Sequence, residues 1–293
     1  MKELFDKISF NVSKQVTKEY STSFSLGIKM LHNSIREPIY AIYGFVRLAD
    51  EIVDSFHDFN KAELLDNFKK QTFDAIDSKI SLNPILNSFQ HAVNYYKIDK
   101  WLIDAFFNSM EMDLVDQQYD KETFDKYILG SAQVVGLMCL RIFCNKDEAQ
   151  YEILRPGAMS LGSAFQKVNF LRDLKADKDN LGRIYFPGMN NQEWTVELKE
   201  KIQKDIEQDF IHALKAISIL PSNSKYGVYI AYRYYFKLFK KLESASFEEL
   251  LTNRLRVPNY TKIRLLFTSR AVSYTHLRAH ETRHDLVCRL LLE

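Results

Sequence analysis

The segment YAIYGFVRLADEIVD, residues 40–54, has apolar side chains at the spacing of an α-helix. Ile42, Phe45, Ala49 and Ile52 recur at steps of three and four residues, which predicts a helix with one buried face. The same period predicts further helices within residues 98–118, 123–144, 157–177 and 224–251.

Turn signals are few, and they fall between the periodic segments. They occur at Asn83-Pro84, Arg155-Pro156-Gly157, Phe186-Pro187-Gly188, Leu220-Pro221-Ser222-Asn223 and Val257-Pro258-Asn259. Such breaks predict roughly nine or ten helices, with Asn83-Pro84 beginning one helix and Arg155-Pro156-Gly157 separating two others. With nine Gly and six Pro, the chain also lacks the frequent turns of an all-β protein. We therefore expect one all-α domain whose helices pack around an interior.

The composition is that of a globular protein with no bias toward nucleic acid. Of the 293 residues, 46% are apolar and 27% are charged, and the length suffices for one large domain or two modest ones. The formal net charge is only +2, and no dense stripe of Lys and Arg with interleaved aromatic residues occurs. We expect no nucleic-acid partner.

Cysteine usage and the N-terminus favour a cytoplasmic location. Cys139, Cys144 and Cys288 form neither a CxxC pair nor a zinc spacing. The first residues, MKELFDKISFNVSKQ, mix acids and bases and lack the apolar core of a signal peptide. No uninterrupted apolar run approaches the ~20 residues that span a bilayer. A lipid substrate would therefore be met from the membrane surface, peripheral to the inner face of the plasma membrane.

The C-terminus differs from the rest of the chain in composition. No lysine follows Lys262, whereas five arginines do, at Arg264, Arg270, Arg278, Arg283 and Arg289. We divide the chain into a domain of residues 1–272 and an atypical tail of residues 273–293. Two interpretations of the tail stay open, a foreign segment from a cloning junction and an ordinary divergent C-terminus.

Two pairs of aspartates, Asp50 with Asp54 and Asp173 with Asp177, are each four residues apart on a predicted helix. At this spacing the Cβ atoms lie about 6 Å apart on one face. Two such carboxylates repel each other unless a cation lies between them, and Mg²⁺ prefers one or two carboxylates plus substrate phosphates. The alternative is chance, because 38 acidic residues produce several solvated pairs at this spacing.

Further polar residues extend each aspartate pair along the same helix face. The two stripes are Tyr43, Arg47, Asp50 and Asp54, and Gln166, Asn169, Asp173 and Asp177. Apolar neighbours such as Ala49 and Phe165 indicate that both faces are buried, and buried polar groups need partners. A buried polar stripe with paired acids is typical of a ligand site rather than of a solvated surface.

Several motifs together resemble the squalene/phytoene synthase family. Residues 40–54 resemble its first aspartate-rich motif, and LGSAFQKVNFLRDLKADKDNLGRIYFP, residues 161–187, resembles the second. YSTSFSLGIKML (20–31), SMEMDL (109–114) and YILGSAQVVGLM (127–138) are similar to other segments of the family. The resemblance covers most of residues 15–265. It implies a single-domain isoprenoid synthase fold with helices surrounding a central active-site cavity.

The resemblance also implies roles for individual residues. Asp50, Asp54, Asp173 and Asp177 would hold clusters of Mg²⁺, or Mn²⁺ in its place, with the substrate diphosphate. Phosphate oxygens would be contacted by Arg47, Arg172 and Arg183, whose forked donors suit them. Flanking polar contacts would come from Ser21, Ser23, Tyr43, Gln166 and Asn169, and Tyr185 lies in a loop expected to close over the site. Aromatic faces can stabilise cations, and the candidates are Phe24, Tyr40, Phe45, Phe165 and Phe170.

By resemblance, the reaction is the head-to-head condensation of two prenyl diphosphates through a cyclopropyl diphosphate. Geranylgeranyl diphosphate would give phytoene, with release of diphosphate and without NADPH. GSAQVVGLMCL (130–140) and MEMDL (110–114) look closer to the phytoene branch of the family. The alternatives are a squalene or dehydrosqualene synthase that uses farnesyl diphosphate, and a non-catalytic assembly factor. We expect a monomer or a homodimer.

Some positions depart from the family pattern. Leu129 replaces a tyrosine and Gln133 replaces a small residue, while Lys167-Val168 stands where Leu-Thr is common. We expect these four side chains to touch the cavity wall and to affect chain-length preference or the fate of the intermediate.

Two other functions are alternatives to the one that the family resemblance implies. His280–His284 fits the zinc motif HExxH, but the nine residues that follow leave almost no room for a third ligand. Head-to-tail prenyltransferases and terpene cyclases usually carry DDxxD. Here the segment reads Asp50, Glu51 and, three residues on, Asp54, so it differs from DDxxD in the identity of its second residue.

Overall fold

The computed structural model describes residues 1–115, 119–181, 183–188 and 195–258, and within them it is built of helices without any strand. This confirms the all-α prediction, with twelve α-helices and one π-helical turn in the described residues rather than nine or ten helices. The α-helices are α1 (Lys2–Tyr20), α2 (Thr22–Lys29), α3 (Asn33–Asp54), α4 (Lys61–Ser78), α5 (Pro84–Tyr96), α6 (Lys100–Met112), α7 (Lys121–Ile128), α8 (Val134–Cys144), α9 (Glu148–Leu181), α10 (Val196–Ser218), α11 (Lys225–Ser244) and α12 (Phe247–Thr252).

Local sequence signals set most helix ends. Asn83 caps α5 as predicted, because its side chain accepts hydrogen bonds from the amides of Ile85 and Leu86 while Pro84 needs no donor at the first position. Ser21 caps α2 by accepting from the Phe24 amide, and it thereby begins the helix that carries YSTSFSLGIKML.

The predicted break at Arg155-Pro156-Gly157 is wrong. Residues 148–181 form one continuous helix with Pro156 inside it. Proline removes one backbone hydrogen bond, but close packing compensates for this loss. A Cβ on Gly157 would lie 2.1 Å from the Ala216 Cβ of α10, so the backbones of α9 and α10 approach closely at this point.

A π-helical turn, Leu129–Gln133, joins α7 to α8. Two glycines allow close packing on either side of it. A Cβ on Gly130 would lie 2.4 Å from the Ala105 carbonyl oxygen of α6, and a Cβ on Gly162 of α9 would lie 2.6 Å from that of Ala132. Length and composition would let Lys121–Cys144 cross a membrane, but 61% of its most apolar window is buried inside the protein. This burial is what a core helix shows.

The helices surround a cavity of about 610 Å³. Phe45 marks the packed core beside it, where its ring stacks on Phe89 with 3.8 Å between centroids. Side chains from α2, α3, α8, α9 and α11 line the cavity, so that its walls come from segments far apart in the chain.

Candidate active site

The cavity has a polar end and an apolar body. The polar end is lined by Tyr20, Ser21, Tyr43, Arg47, Asp50, Asp54, Asp113, Tyr127, Gln166, Asn169, Arg172, Asp173, Asp177, Tyr185, Tyr234, Tyr235 and Arg254. The apolar body runs past Ile42, Val135 and Leu161 to Phe143 and Leu154. A cavity of this kind suits a molecule with a charged head and a long hydrocarbon tail.

The first aspartate pair lies on the last two turns of α3. Burial raises the pKa of Asp50 to about 8, an effect opposed by Arg47 and reinforced by Asp54 and Asp113. Arg47 pairs with Glu51 through Nη2 and lies over the Tyr20 ring, 4.4 Å from its centroid. An acidic site whose carboxyl resists ionisation is one that favours a cation close by.

The second pair lies near the end of α9, on the opposite wall. Asp173 is held by two guanidinium groups, because Arg172 forks onto it and Arg254 Nε donates to its Oδ1 at 2.7 Å. Burial, followed by the charges of Asp173 and Asp54, raises the pKa of Asp177 to about 7. The two pairs therefore lie close enough to interact electrostatically across the cavity.

A fifth carboxylate, Asp113, joins the site, and our sequence analysis did not select it. Its Oδ2 accepts a hydrogen bond from the Tyr127 hydroxyl at 2.7 Å and its Oδ1 accepts one from Tyr185 at 3.3 Å. Burial raises the pKa of Asp113 to about 6, despite the nearby Arg183. The motif SMEMDL contains this residue and was the signal that could have found it.

Arg183 connects Asp54 with Asp113. Its Nη1 donates to Asp54 Oδ1 at 3.1 Å and lies 3.3 Å from Asp113 Oδ1, and its Nη2 donates to the Asp113 carbonyl oxygen at 2.5 Å. Arg183 itself is not part of the cavity lining. It lies behind the carboxylates, so it can orient them as well as supply positive charge.

Of the remaining predicted polar residues, four line the cavity and one has a side chain outside the described residues. Ser21, Tyr43, Gln166 and Asn169 line the cavity. Asn169 accepts a hydrogen bond from the Tyr235 hydroxyl at 3.3 Å. The Ser23 side chain lies outside the described residues, as do the tail of residues 273–293 and the HExxH segment within it.

An aromatic cluster lies in the cavity wall just below the polar end. Phe165 stacks on Tyr235 with 3.9 Å between centroids, and Phe24 packs against Tyr43, Phe165 and Tyr235. Of the rings that the sequence suggested, Phe24, Phe165 and Phe170 line the cavity. The other two, Tyr40 and Phe45, are buried in the core and do not line the cavity, and Phe45 lies on the opposite face of α3 from Tyr43 and Arg47.

The four departures from the family pattern do not line the cavity, so that expectation is wrong. Lys167 points toward α10, where it pairs with Asp205 and Asp209, and Val168 is fully buried. In the π-helical turn, the cavity is lined by Ser131 and Ala132 instead of Leu129 and Gln133.

The donor set at the polar end fits a magnesium–diphosphate group. Among the described residues, no three acidic, histidine or cysteine side chains are grouped as a self-sufficient metal site. Mg²⁺ does not need one, because it is commonly held by one or two carboxylates together with substrate phosphates and water. Three carboxyls with raised pKa values, Asp50, Asp113 and Asp177, indicate an end of the cavity that cations would stabilise.

Comparison with known proteins shows which family and which fold this chain matches. Residues 17–261 match the family model described as squalene/phytoene synthase. The chain is 27% identical to a 4,4'-diapophytoene synthase from Staphylococcus haemolyticus over 230 residues, which are 74% of this chain and 75% of that protein. It is 25% identical to a phytoene synthase from Arthrospira platensis over 288 residues, or 88% of this chain and 91% of that protein.

Solved structures with the same fold include two synthases of this type. A dehydrosqualene synthase in complex with a ligand superposes with a TM-score of 0.78 at 21% identity, covering 92% of this chain and 98% of that one. The squalene synthase HpnC from Alicyclobacillus acidocaldarius gives a TM-score of 0.71 at 18% identity, with coverage of 81% and 94%. At these sequence identities, the two solved structures show only that the fold is shared.

Proposed function

The chain belongs to the squalene/phytoene synthase family of prenyltransferases, which condense prenyl diphosphates head to head, and we propose that it converts two molecules of geranylgeranyl diphosphate to phytoene. One observation carries the proposal. Two aspartate pairs from α3 and α9, joined by Asp113, converge at the polar end of a deep apolar cavity. This arrangement separates a diphosphate site from a hydrocarbon site within one enclosure.

The polar end would bind and orient the diphosphate. The four paired aspartates are the proposed holders of Mg²⁺, which, when bound, neutralises the diphosphate and makes it a better leaving group. Arg47 offers a further donor, since its Nε is buried and has no hydrogen-bond partner among the described residues. We propose that Arg47 and Arg172 donate to phosphate oxygens and that Arg183 orients Asp54 and Asp113.

The hydrocarbon part would protect the cationic intermediates. Loss of diphosphate from one substrate leaves an allylic cation, which the 2,3 double bond of the second substrate attacks. Loss of a proton from the former C1 of the first substrate then closes the three-membered ring and gives the cyclopropyl diphosphate. The faces of Phe24, Phe165 and Tyr235 can stabilise positive charge without forming a bond to it. The apolar walls exclude water that would quench the cation.

The length of the cavity favours a C20 chain. Asn169, at the polar end, and Leu154, at the far end, lie fifteen positions apart on α9, or about 22 Å along the helix. An extended isoprene unit advances roughly 5 Å, given carbon–carbon bonds of about 1.5 Å. Four units would fill this length, whereas the three units of farnesyl diphosphate would leave about one unit of it empty.

A C15 substrate is the second candidate. It is favoured by the similarity to the diapophytoene synthase from Staphylococcus haemolyticus. We further propose that the protein works without NADPH in the cytoplasm, at the inner surface of the plasma membrane, where an insoluble product would leave it. We propose that it acts as a monomer or a homodimer, without a nucleic-acid partner.

One incubation tests the function. Isotope-labelled C15 and C20 diphosphates are supplied with Mg²⁺, each with and without NADPH, and the lipid products are identified by mass spectrometry. We expect phytoene from the C20 substrate, independent of NADPH. A C30 product would favour the second candidate. If the protein forms no lipid product and releases no diphosphate, the result would favour a non-catalytic assembly factor. A product that retains one diphosphate would indicate head-to-tail chemistry.

A further inference from the structure

Two buried polar atoms in the cavity wall have no hydrogen-bond partner. Among the described residues, three buried side-chain atoms are without one, namely Arg47 Nε, Ser131 Oγ and Asn223 Oδ1. Arg47 and Ser131 line the cavity, and Asn223 does not. A buried polar atom is normally paired, so an unpaired one in a cavity marks a point where a ligand completes its interactions. The diphosphate accounts for Arg47 but not for Ser131.

Ser131 differs from the other buried helical hydroxyls of this protein. Ser and Thr in helices commonly donate to the carbonyl four residues earlier. Ser9 does so to Phe5 at 2.8 Å, and Thr72 does so to Phe68 at 2.7 Å. Ser131 lies in the middle of the π-helical turn Leu129–Gln133, and its hydroxyl makes no such bond. Wide turns of this kind recur at functional sites because they redirect side chains.

The position of Ser131 relative to the acidic end is informative. Tyr127, which donates to Asp113, lies one turn earlier on the same helical segment, or about 5 Å higher along the cavity. The next cavity-lining residues, Ala132 and Val135, are apolar. By this spacing, the Ser131 hydroxyl would lie just below the proposed diphosphate site, near the first carbons of a bound prenyl chain.

A prenyl chain in its ground state offers no donor or acceptor to this hydroxyl, but its C1 and C3 atoms become positively charged when the diphosphate leaves. We propose that Ser131 is a catalytic residue whose hydroxyl oxygen stabilises the allylic carbocation, a role that rests on the proposed function. The bond from C1 to the diphosphate oxygen breaks, and its electron pair leaves with the diphosphate. The charge is shared between C1 and C3, and Ser131 Oγ neither forms a bond nor transfers a proton.

Such an interaction exists in the transition state and not in the bound substrate. Groups of this kind raise kcat and leave KM unchanged, because they contribute nothing to ground-state binding. The oxygen dipole is effective here because the surrounding wall is apolar and excludes water. The π-helical turn, clamped by Gly130 and Gly162, would keep the hydroxyl from relaxing onto the backbone.

The test compares S131A, which removes the hydroxyl, with S131T, which keeps it. We expect S131A to lower kcat about tenfold, or about 1.4 kcal/mol, with KM within about twofold of the wild-type value. S131T should retain most of kcat. Q133A is the matched control, because Gln133 belongs to the same π-helical turn but does not line the cavity, and its kcat should stay close to the wild-type value.

A binding measurement separates this role from the proposed function. A prenyl ammonium compound, given with Mg²⁺ and diphosphate, carries a positive charge where the carbocation would form. A prenyl thiolodiphosphate, whose prenyl chain carries no positive charge, serves as its ground-state counterpart. Titration calorimetry should show that S131A binds the ammonium compound about tenfold more weakly than the wild type and binds the thiolodiphosphate equally well.

The outcomes are distinct. Equal affinity of wild type and S131A for the ammonium compound, or an unchanged kcat in S131A, would overturn the role of Ser131 while leaving the proposed function standing. An equal loss of affinity for both compounds would assign Ser131 to the shape of the cavity instead. If the wild type makes no head-to-head product while S131A still binds the ammonium compound more weakly than the wild type, the proposed function is overturned. The contact between Ser131 and the cation is then kept.

Discussion

At Asp50, the proposed function and the stability of the folded protein make opposite demands on one buried carboxyl group. Burial raises the pKa of Asp50 to about 8, so near neutral pH the folded protein holds a proton that the unfolded chain would release. A substitution that keeps the shape of the side chain but not its charge should therefore separate activity from stability.

Asp50→Asn should lower turnover by at least about 100-fold, because a group that helps to hold the departing charge is lost. The same change should raise the unfolding free energy of the protein, measured in EDTA at pH 7, by about 1–2 kcal/mol. Steady-state kinetics and thermal unfolding by circular dichroism measure the two effects, and helical content should not change. Asp74→Asn, on an exposed turn of α4, is the matched control and should alter neither property. Turnover near the wild-type rate in Asp50→Asn would refute its assignment as a metal ligand.

Helix α9 shows how packing between elements overrides local propensity. A glycine inside a helix normally costs stability relative to alanine. At Gly162 the opposite applies, because an added Cβ would lie 2.6 Å from the Ala132 carbonyl oxygen in the π-helical turn. At Gly27 on α2, an added Cβ would meet its neighbours at 3.7 Å, an ordinary contact.

Gly162→Ala should thus lower the unfolding free energy by about 1–3 kcal/mol, since the backbones of α9 and the π-helical turn must separate. Gly27→Ala should leave it unchanged or raise it slightly. Urea unfolding followed by circular dichroism compares the two variants. Equal stability of both would mean that the close approach of α9 to the π-helical turn does not exist in solution.

The contact between α9 and α10 depends on a buried ion cluster. Lys167 is 7% exposed and pairs with Asp205 and Asp209, and Asp209 also accepts a hydrogen bond from Ser163 at 2.6 Å. Both partner charges raise the pKa of Lys167 against the opposing effect of burial. The ammonium group therefore stays charged at any pH at which the protein is handled.

Removing that charge leaves Asp209 without its cation, at 18% side-chain exposure. Lys167→Ala should lower the unfolding free energy by about 3 kcal/mol, in the range found when one partner of a buried pair is removed. Lys204→Ala, on an exposed position of α10, provides the control for loss of a lysine. Denaturant unfolding of both variants gives the comparison, and a Lys167→Ala protein as stable as Lys204→Ala would show that the cluster contributes nothing.

The whole molecule should respond to pH through its acidic end. The folded-state pKa values of Asp50, Asp113 and Asp177 are raised to about 8, 6 and 7. Because the unfolded chain releases these protons near the ordinary pKa of aspartate, about 3.9, the native state binds more protons between about pH 4 and pH 8. Stability contributed by these groups is present below pH 4, falls as pH rises, and levels off above about pH 8.

We therefore expect the Tm of the protein in EDTA to fall between pH 5 and pH 8. Mg²⁺ with diphosphate should raise the Tm more at pH 8 than at pH 5.5, because the cation replaces protons that are already lost at the higher pH. Differential scanning calorimetry with and without the two additives tests this. EDTA should also abolish turnover, and added Mg²⁺ should restore it. A Tm that rises steadily from pH 5 to pH 8 would contradict the assigned direction of the pKa shifts.

The division of the chain into residues 1–272 and a tail leads to a prediction about the tail. The match to the family model ends at residue 261, before the tail begins. Deletion of residues 273–293 should leave kcat and KM within about twofold of the values for residues 1–293, since every proposed site residue lies before the deleted segment. Comparing both proteins in the same prenyltransferase assay tests this. Loss of activity on deletion, with the Tm preserved, would reopen the zinc hypothesis for His280–His284.

Local patterns in the sequence were sufficient to predict the helical fold class and to identify both aspartate pairs. Periodicity and i,i+4 spacing are properties of one helix, so they can be read before the helices pack. The predicted cavity residues Tyr43, Gln166 and Asn169 came from the same helix-face argument, and they line the cavity.

Packing decided the features that depend on distant partners. Arg183 meets Asp54 across 129 positions of the chain, and the continuity of α9 through Pro156 depends on its contact with α10. Lys167 faces Asp205 instead of the cavity, and Ser131 lacks a partner that its neighbours in sequence could have supplied. Burial and pairing are set by which helices come together, and no pattern within a single helix contains that information.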